Sequence, residues 1–456
     1  MGNNEDYFVK RPVSGNPAKG KEKQNPDRRI VDESKNTVRR VRPEGGSDLP
    51  KRREDTAPPA DRTDKKQSMI SRLMNGGDCA RLPEGYKVGS VDMVFLVILA
   101  IIIALGTVMV FSSSHAYATT KFGDGYYFLR NQLLVVAFGC VLIALVALFP
   151  LKTYAFVTWT VYFIAVALLI AVLLFGASEG EAKRWIILPG GMSFQPSELG
   201  KTAVVMMLAL YMSKYREKIE SKKWGESFRY GILAPAAIFG LIVGLVMLEN
   251  HFSGVIIICA IAACMMFFGG TRFSYIAVIG AVGIAGVLIL ITLTPYANAR
   301  LEIWQDPWSD LMGKGWQTVQ GLYSIASGGI FGVGLGNSHQ KYGYVSEPQN
   351  DFVFTIACEE LGFVGAVAII FLFALLIWRG FSIARHSPNR FTYLLVLGII
   401  SKIAIQVILN IAVVTNTIPN TGIPLPFFSS GGSSLLVLMA EMGVVLSVSR
   451  YSKQKK

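Results

Sequence analysis

Four stretches of this sequence gather side chains able to do chemistry. In QPSELGK (195–201), Glu198 and Lys201 stand three residues apart, a spacing that puts both on one face of a helix. They either neutralise each other or serve a polar cavity between helices. Just upstream, Arg184 and Trp185 are adjacent in AKRWIILPGG. A guanidinium fork suits phosphate oxygens, and an indole suits a sugar face or the headgroup layer of a membrane. The run DPWSDLMGKGWQ (306–317) holds Asp306 and Asp310, whose ordinary reading is a loop carboxylate or a helix cap. The fourth stretch, PNTGIPLPFFSSGGSS (419–434), combines three prolines and a glycine pair with hydroxyls that include Ser433 and Ser434.

Further charges surround these stretches. Arg130, Lys314 and Lys341 could meet an anionic lipid or simply solubilise loops. Asp351 stands where a helix begins and is as good a cap as a ligand group. Glu359 and Glu360 are neighbours on that helix and diverge by ~100°, so at most one points easily into a given cavity. Lys402 and Glu441 are the intramembrane groups left to pair.

The elements that must position these groups are membrane helices. The 456 residues are 52% hydrophobic and only 16% charged, too apolar for a soluble fold of this length. Apolar stretches near the ~20 residues needed to cross a bilayer recur at 91–111, 132–149, 154–175, 196–213, 230–248, 252–268, 273–294, 351–377, 391–415 and 433–449. The expected fold is an all-α polytopic membrane protein of about ten spans. It has a ten-helix domain over 89–450, a large loop at 295–350 between helices seven and eight, and a short tail at 451–456. Residues 1–88 are rich in Lys, Arg, Asp, Glu, Pro and Gly and lack periodic apolar runs, which predicts a disordered basic tail. No apolar run with a cleavage site opens the chain, so the tail is no signal peptide.

Basic residues cluster at 214–229, 379–390 and 450–456, which an even number of spans places in the cytoplasm together with both termini. The segments 176–201, 249–254, 295–351 and 416–434 then face outward. Backbone as irregular as 419–434 cannot face lipid, so it folds back into protein or lines water, either as a re-entrant loop or as a tight connector. Five cysteines show no metal-ligand spacing. The GVGLG run at 332–336 lacks the preceding strand and following GK[ST] of a nucleotide loop. The net charge of +13 follows membrane topology and gives no argument for nucleic acid.

The runs AKRWIILPGGMSFQPSELGK, LENHFSG (248–254), the segment 306–362 and PNTGIPLPFFSSGGSSLL resemble the SEDS family (shape, elongation, division and sporulation), most closely its FtsW and SpoVE branch. The resemblance covers about residues 90–450. It implies a peptidoglycan glycosyltransferase in the bacterial cytoplasmic membrane. Such an enzyme polymerises lipid II, an undecaprenyl-diphosphate-linked disaccharide pentapeptide, at the outer face, beside a class B penicillin-binding protein and other divisome proteins. The second aspartate of the family motif is Asp310, and the resemblance implies that it is catalytic, with Asp306 the weaker candidate. Arg184, Trp185, Glu198, Lys201, Arg130, Lys341, Asp351, Ser433 and Ser434 are the expected substrate-binding residues. The sequence departs from the family pattern at Gly180–Lys183, at Asn250 where proline is common, and at Ser430 where an aromatic is usual.

Joining a sugar hydroxyl to the anomeric carbon of a sugar diphosphate with inversion needs a base on the acceptor side and charge stabilisation on the leaving diphosphate. Asp310 is the expected base. Cationic side chains, or a divalent cation such as Mg, would answer the diphosphate. Two other functions stay open on sequence: a lipid II flippase using the intramembrane charges as a path, and a non-catalytic scaffold that recruits a transpeptidase.

Overall fold

The computed structural model describes residues 86–179, 182–187, 193–281, 283, 301–313 and 315–453. The expected tail at 1–85, Lys314 and the second half of the stretch 273–294 lie outside the described residues. Among the described residues, seven helices are long and apolar enough to cross a bilayer: α1 (Met93–Phe122), α2 (Tyr127–Leu148), α3 (Leu151–Phe175), α5 (Trp224–Leu248), α8 (Val353–Arg385), α9 (Arg390–Val414) and α10 (Gly432–Ser449). Between them come α4 (Pro196–Lys214), which is less apolar, and α6 (Phe252–Phe268), which has 17 residues. A shorter α7 (Trp316–Ser327) lies before α8.

Composition explains the layering. Almost every residue of α4 is buried, and 72% of the apolar window of α9 is buried, against 28% for α2, α3, α5 and α8. The charged residues of α4 and α9 are thus tolerated because these helices form the centre of the bundle. The outer helices turn Phe138, Phe156, Phe371 and Trp378 outward, as a lipid-facing surface requires.

Two helices run further than their hydropathy predicts. Helix α1 continues past 111 to Phe122 because Ser112, Ser113 and Ser114 are buried against neighbours rather than exposed to a bilayer. Helix α8 reaches Arg385 but breaks at Gly362, whose φ of 69° and ψ of −170° are open essentially to glycine alone. The amides of Phe363 and Val364 freed by this break bond the carbonyls of Gly329 and Ile330, at 2.9 and 3.1 Å. The carbonyls of Glu359 and Glu360 accept from Val333 and Gly334, at 3.0 Å each. The loop after α7 is thereby stitched into α8.

The two ends of the described chain meet. Strand β1 (Tyr86–Val88) pairs antiparallel with β5 (Tyr451–Lys453), with Lys87 opposite Ser452. Sequence reading assigned both segments to tails, because three-residue strands this far apart leave no local periodicity. Beside them Asp92 caps α1 by accepting from the Phe95 amide at 2.9 Å and pairs with Arg379 at 2.6 Å.

Candidate functional site

At the opposite end of the bundle, four irregular segments converge. A small antiparallel sheet of β2 (Ala177–Glu179), β3 (Ala182–Ile187) and β4 (Ser193–Phe194) joins α3 to α4. Arg184 of β3 donates from Nη2 to the carbonyl of Asn250 at 2.8 Å, which ties the sheet to the turn between α5 and α6. Asn250 holds that turn with φ of 56°, where the proline common in the resembling family could not sit. Across the gap, the indole Nε1 of Trp304 donates to the Asn416 carbonyl at 3.0 Å, and Asn416 Nδ2 returns a bond to the Trp304 carbonyl at 3.3 Å. Asn420 Nδ2 donates to Gln317 Oε1 at 3.3 Å, and Ser253 Oγ donates to the Thr421 carbonyl.

These latches enclose a cavity of about 480 Å³ whose walls include Arg184, Asn250, Trp304, Gln317, Asp351 and Asn420. The size is that of a small-molecule site. Its chemistry is one cation, one carboxylate, an indole and several amides, a set suited to phosphate and sugar hydroxyls. The sequence reading named Arg184 and Asp351 for substrate. It missed Gln317, Asn416 and Asn420, because scattered amides carry no spacing signal.

Asp310 ends a 3₁₀ turn, Pro307–Asp310, that Asp306 caps by accepting from the Trp308 amide at 3.2 Å. Asp306 thus has the cap role in this turn. The Asp310 carboxylate is partly buried and lies over Gly313, where a β-carbon would sit 2.4 Å from Oδ2. Asp310 is not among the cavity-lining residues, but Trp304 before it and Gln317 after it both are. The turn also packs on α7, whose first residues wall the cavity. Asp310 thus lies on the turn that packs against α7, outside the cavity lining.

The intramembrane charges form closed pairs. Lys201 Nζ lies 2.6 Å from Glu198 Oε1, and Lys402 Nζ lies 2.8 Å from Glu441 Oε1, all with side chains 4% exposed or less. Thr202 Oγ1 also donates to Glu441. Among the described residues, the pair does not line the 480 Å³ cavity, and Glu198 borders a void of about 10 Å³. His251, between the cavity residues Asn250 and Phe252, has its Nδ1 3.3 Å from Ser197 Oγ.

Lys341 is buried at 4% exposure, 2.9 Å from Glu360 Oε1, and donates to the Gly336 carbonyl at 2.7 Å. Ser112 Oγ donates to Glu360 as well, at 2.7 Å. Glu359 accepts from Ser338 Oγ at 2.6 Å and from the His339 amide at 2.9 Å. Both adjacent glutamates thus serve the same loop, because the loop wraps around α8 and meets both of their directions.

The remaining expected residues are scattered. Arg130 is exposed and pairs with Asp124 at 3.0 Å between α1 and α2. Trp185 is half-buried on β3 and does not line the cavity. Ser433 Oγ accepts from the Gln195 amide at 3.2 Å, joining α10 to the start of α4, and Ser434 Oγ donates to the Gly431 carbonyl at 3.1 Å. The 419–434 segment does fold back into protein: Ser429 and Ser430 bond Asn350, both at 2.7 Å.

Two titratable groups of the α5–α6 turn escaped the sequence reading. Burial pushes the Glu249 carboxyl up to about 8, with Arg184 opposing. Burial, helped by the charges of Lys201 and Arg184, holds the His251 imidazole down at about 3, so it is neutral at pH 7. Among the described residues, no three His, Cys, Asp or Glu side chains converge to hold a metal.

A profile of the FtsW/RodA/SpoVE family, described as cell cycle protein, matches residues 92–454, which include the whole cavity. The chain belongs to this family. It is 36% identical over 371 residues to stage V sporulation protein E of Bacillus subtilis, covering 80% of this chain and 99% of the relative. The probable peptidoglycan glycosyltransferase FtsW of the same organism is 36% identical over 388 residues, covering 80% and 93%. A solved structure described as structural coordination of polymerization and crosslinking by a peptidoglycan synthase complex superposes with a TM-score of 0.65 at 28% identity, covering 79% of this chain and 98% of the other. The rod shape determining protein RodA of Thermus thermophilus superposes at 0.58 with 25% identity, covering 80% and 98%.

Proposed function

We propose that this chain polymerises lipid II into glycan strands at the outer face of the cytoplasmic membrane, with Asp310 as general base. Its enzyme class, peptidoglycan glycosyltransferase, is that of relatives 34 to 36% identical over 80 to 81% of the chain. The observation that carries the reading is the cavity of about 480 Å³ with Arg184 on one wall and, on another, the start of α7, against which the Asp310 turn packs.

The lipid-linked diphosphate enters beside Arg184, whose guanidinium answers charge that builds on the leaving oxygens. The amides and Trp304 hold sugar. Asp310 accepts the proton of the acceptor's 4-hydroxyl as that oxygen attacks the anomeric carbon of the donor, and the diphosphate departs from the opposite face with inversion. A divalent cation such as Mg would add positive charge, but no carboxylate cluster among the described residues fits one, and no step here passes through it. The protein works in division, sporulation or shape, with a class B penicillin-binding protein as partner.

The flippase reading needs a polar path between the two membrane faces. The Glu198–Lys201 and Lys402–Glu441 pairs that would line it are mutually neutralised and almost wholly buried. This favours the enzyme. The test is purified protein with lipid II, with and without a class B partner, read as glycan strands on a gel and as lipid II scrambling in vesicles. Strands are expected. Scrambling without strands in the presence of partner overturns the proposal.

A further inference from the structure

Glu249, beside the cavity residue Asn250, has no part in the mechanism. It closes α5 at 1% exposure, and among the described residues neither carboxylate oxygen has a hydrogen-bond partner. A buried ionised carboxylate in that state is costly, whereas the neutral acid is far less so. The next residue, Asn250, receives the Arg184 hydrogen bond through its carbonyl, so the guanidinium sits over the Glu249 turn while also walling the cavity.

We infer that Glu249 sets the charge of the cavity: as a neutral acid it leaves Arg184 positive toward an anionic ligand, and as a carboxylate it cancels that charge. Glu249 is thus a tuning residue that acts through Arg184 and touches no substrate. The inference rests on reading the cavity as the diphosphate site. The other described charged or titratable groups around this turn and cavity are Glu198 and Lys201 on α4, which neutralise each other, His251, which is neutral, and Asp351, a cavity-wall carboxylate common to parent and variant. The elevated carboxyl of Glu249, at about 8, puts the change within reach of a pH series. Linkage requires the reverse effect too: an anion bound at Arg184 draws a proton onto Glu249.

The experiment measures binding of short-chain lipid II to full-length protein in detergent from pH 6.5 to 9.5. Its diphosphate diester keeps its charge throughout. The parent is expected to bind roughly tenfold more weakly at pH 9.5 than at pH 7, equivalent to about one pKa unit of coupling, whereas Glu249→Gln holds a ratio near one. Equal weakening in both proteins, or none in the parent, overturns the inference. Calorimetry of the parent at pH 8 in two buffers of different ionisation enthalpy gives a second reading that needs no variant. Net proton uptake on binding is expected, and its absence contradicts the inference. Arg184→Ala separates the underlying reading: undiminished binding at pH 7 means that the cavity does not take the diphosphate, and Glu249 then has nothing to tune.

Discussion

The carboxylate of Asp310 rests directly over Gly313, so closely that a β-carbon there would lie 2.4 Å from Oδ2 and 2.5 Å from Oδ1. The 3₁₀ turn places this carboxylate against the glycine three residues later. Adding a single methyl group therefore moves the proposed base without touching its chemistry.

Gly313→Ala should lower the rate of strand formation by about 10²-fold, the scale of a 1 Å misplacement of a reacting group. Stability should change by less than ~1 kcal/mol, because the residue is in a surface loop. Strand synthesis and thermal melting in detergent, measured on the same preparation, check both halves.

Lys402 and Glu441 form an almost wholly buried pair at the centre of the bundle. Lys402→Ala strands a buried carboxylate and should cost about 3–5 kcal/mol. The double change Lys402→Met with Glu441→Leu should recover most of that loss, since an apolar pair of similar volume is often neutral or better. Melting temperatures of the parent and both variants decide this.

Lys341 holds the loop after α7 against Glu360. Lys341→Ala should lower the melting temperature, and the KM for lipid II of the protein that remains folded should be unaltered. A raised KM at unchanged stability would return Lys341 to the substrate site.

At the other end of the bundle, burial raises the Asp92 carboxyl, but the hydrogen bond and charge of Arg379 and the amides of Phe95 and Val94 bring it below 3.8. A depressed carboxylate stabilises the fold above its unfolded value and loses that contribution as pH falls through the folded value. Asparagine caps helices as well as aspartate, so Asp92→Asn isolates the charge. The variant should be less stable by up to ~1 kcal/mol at pH 7, given the partial exposure of Arg379. The gap should close below pH 3.8.

The sequence showed what repeats locally. Apolar runs of bilayer length located the long helices, and the three-residue spacing of Glu198 and Lys201 showed that they share a face, where they now form a pair. The same spacing could not say whether that face opened to a cavity, since this depends on His251 and Ser197 packing over it. Hydropathy ended α1 at 111 because Ser112 reads as polar, although its partner is Glu360, 248 residues away. The Lys341–Glu360 pair, the β1–β5 ladder and the amides around Trp304 are likewise contacts between distant segments. Asp310 was found by resemblance to a family motif. Its position beside Gly313, on a turn packed against α7, needed coordinates.

Single-turnover strand synthesis from lipid II by folded Asp310→Asn and Asp310→Glu proteins, compared with the parent, bears most directly on the base assignment. Asparagine keeps the shape and cannot take a proton, so the rate should fall by about 10²- to 10⁴-fold, with glutamate retaining more activity. If the asparagine protein makes strands at the parental rate while remaining folded, Asp310 is not the base.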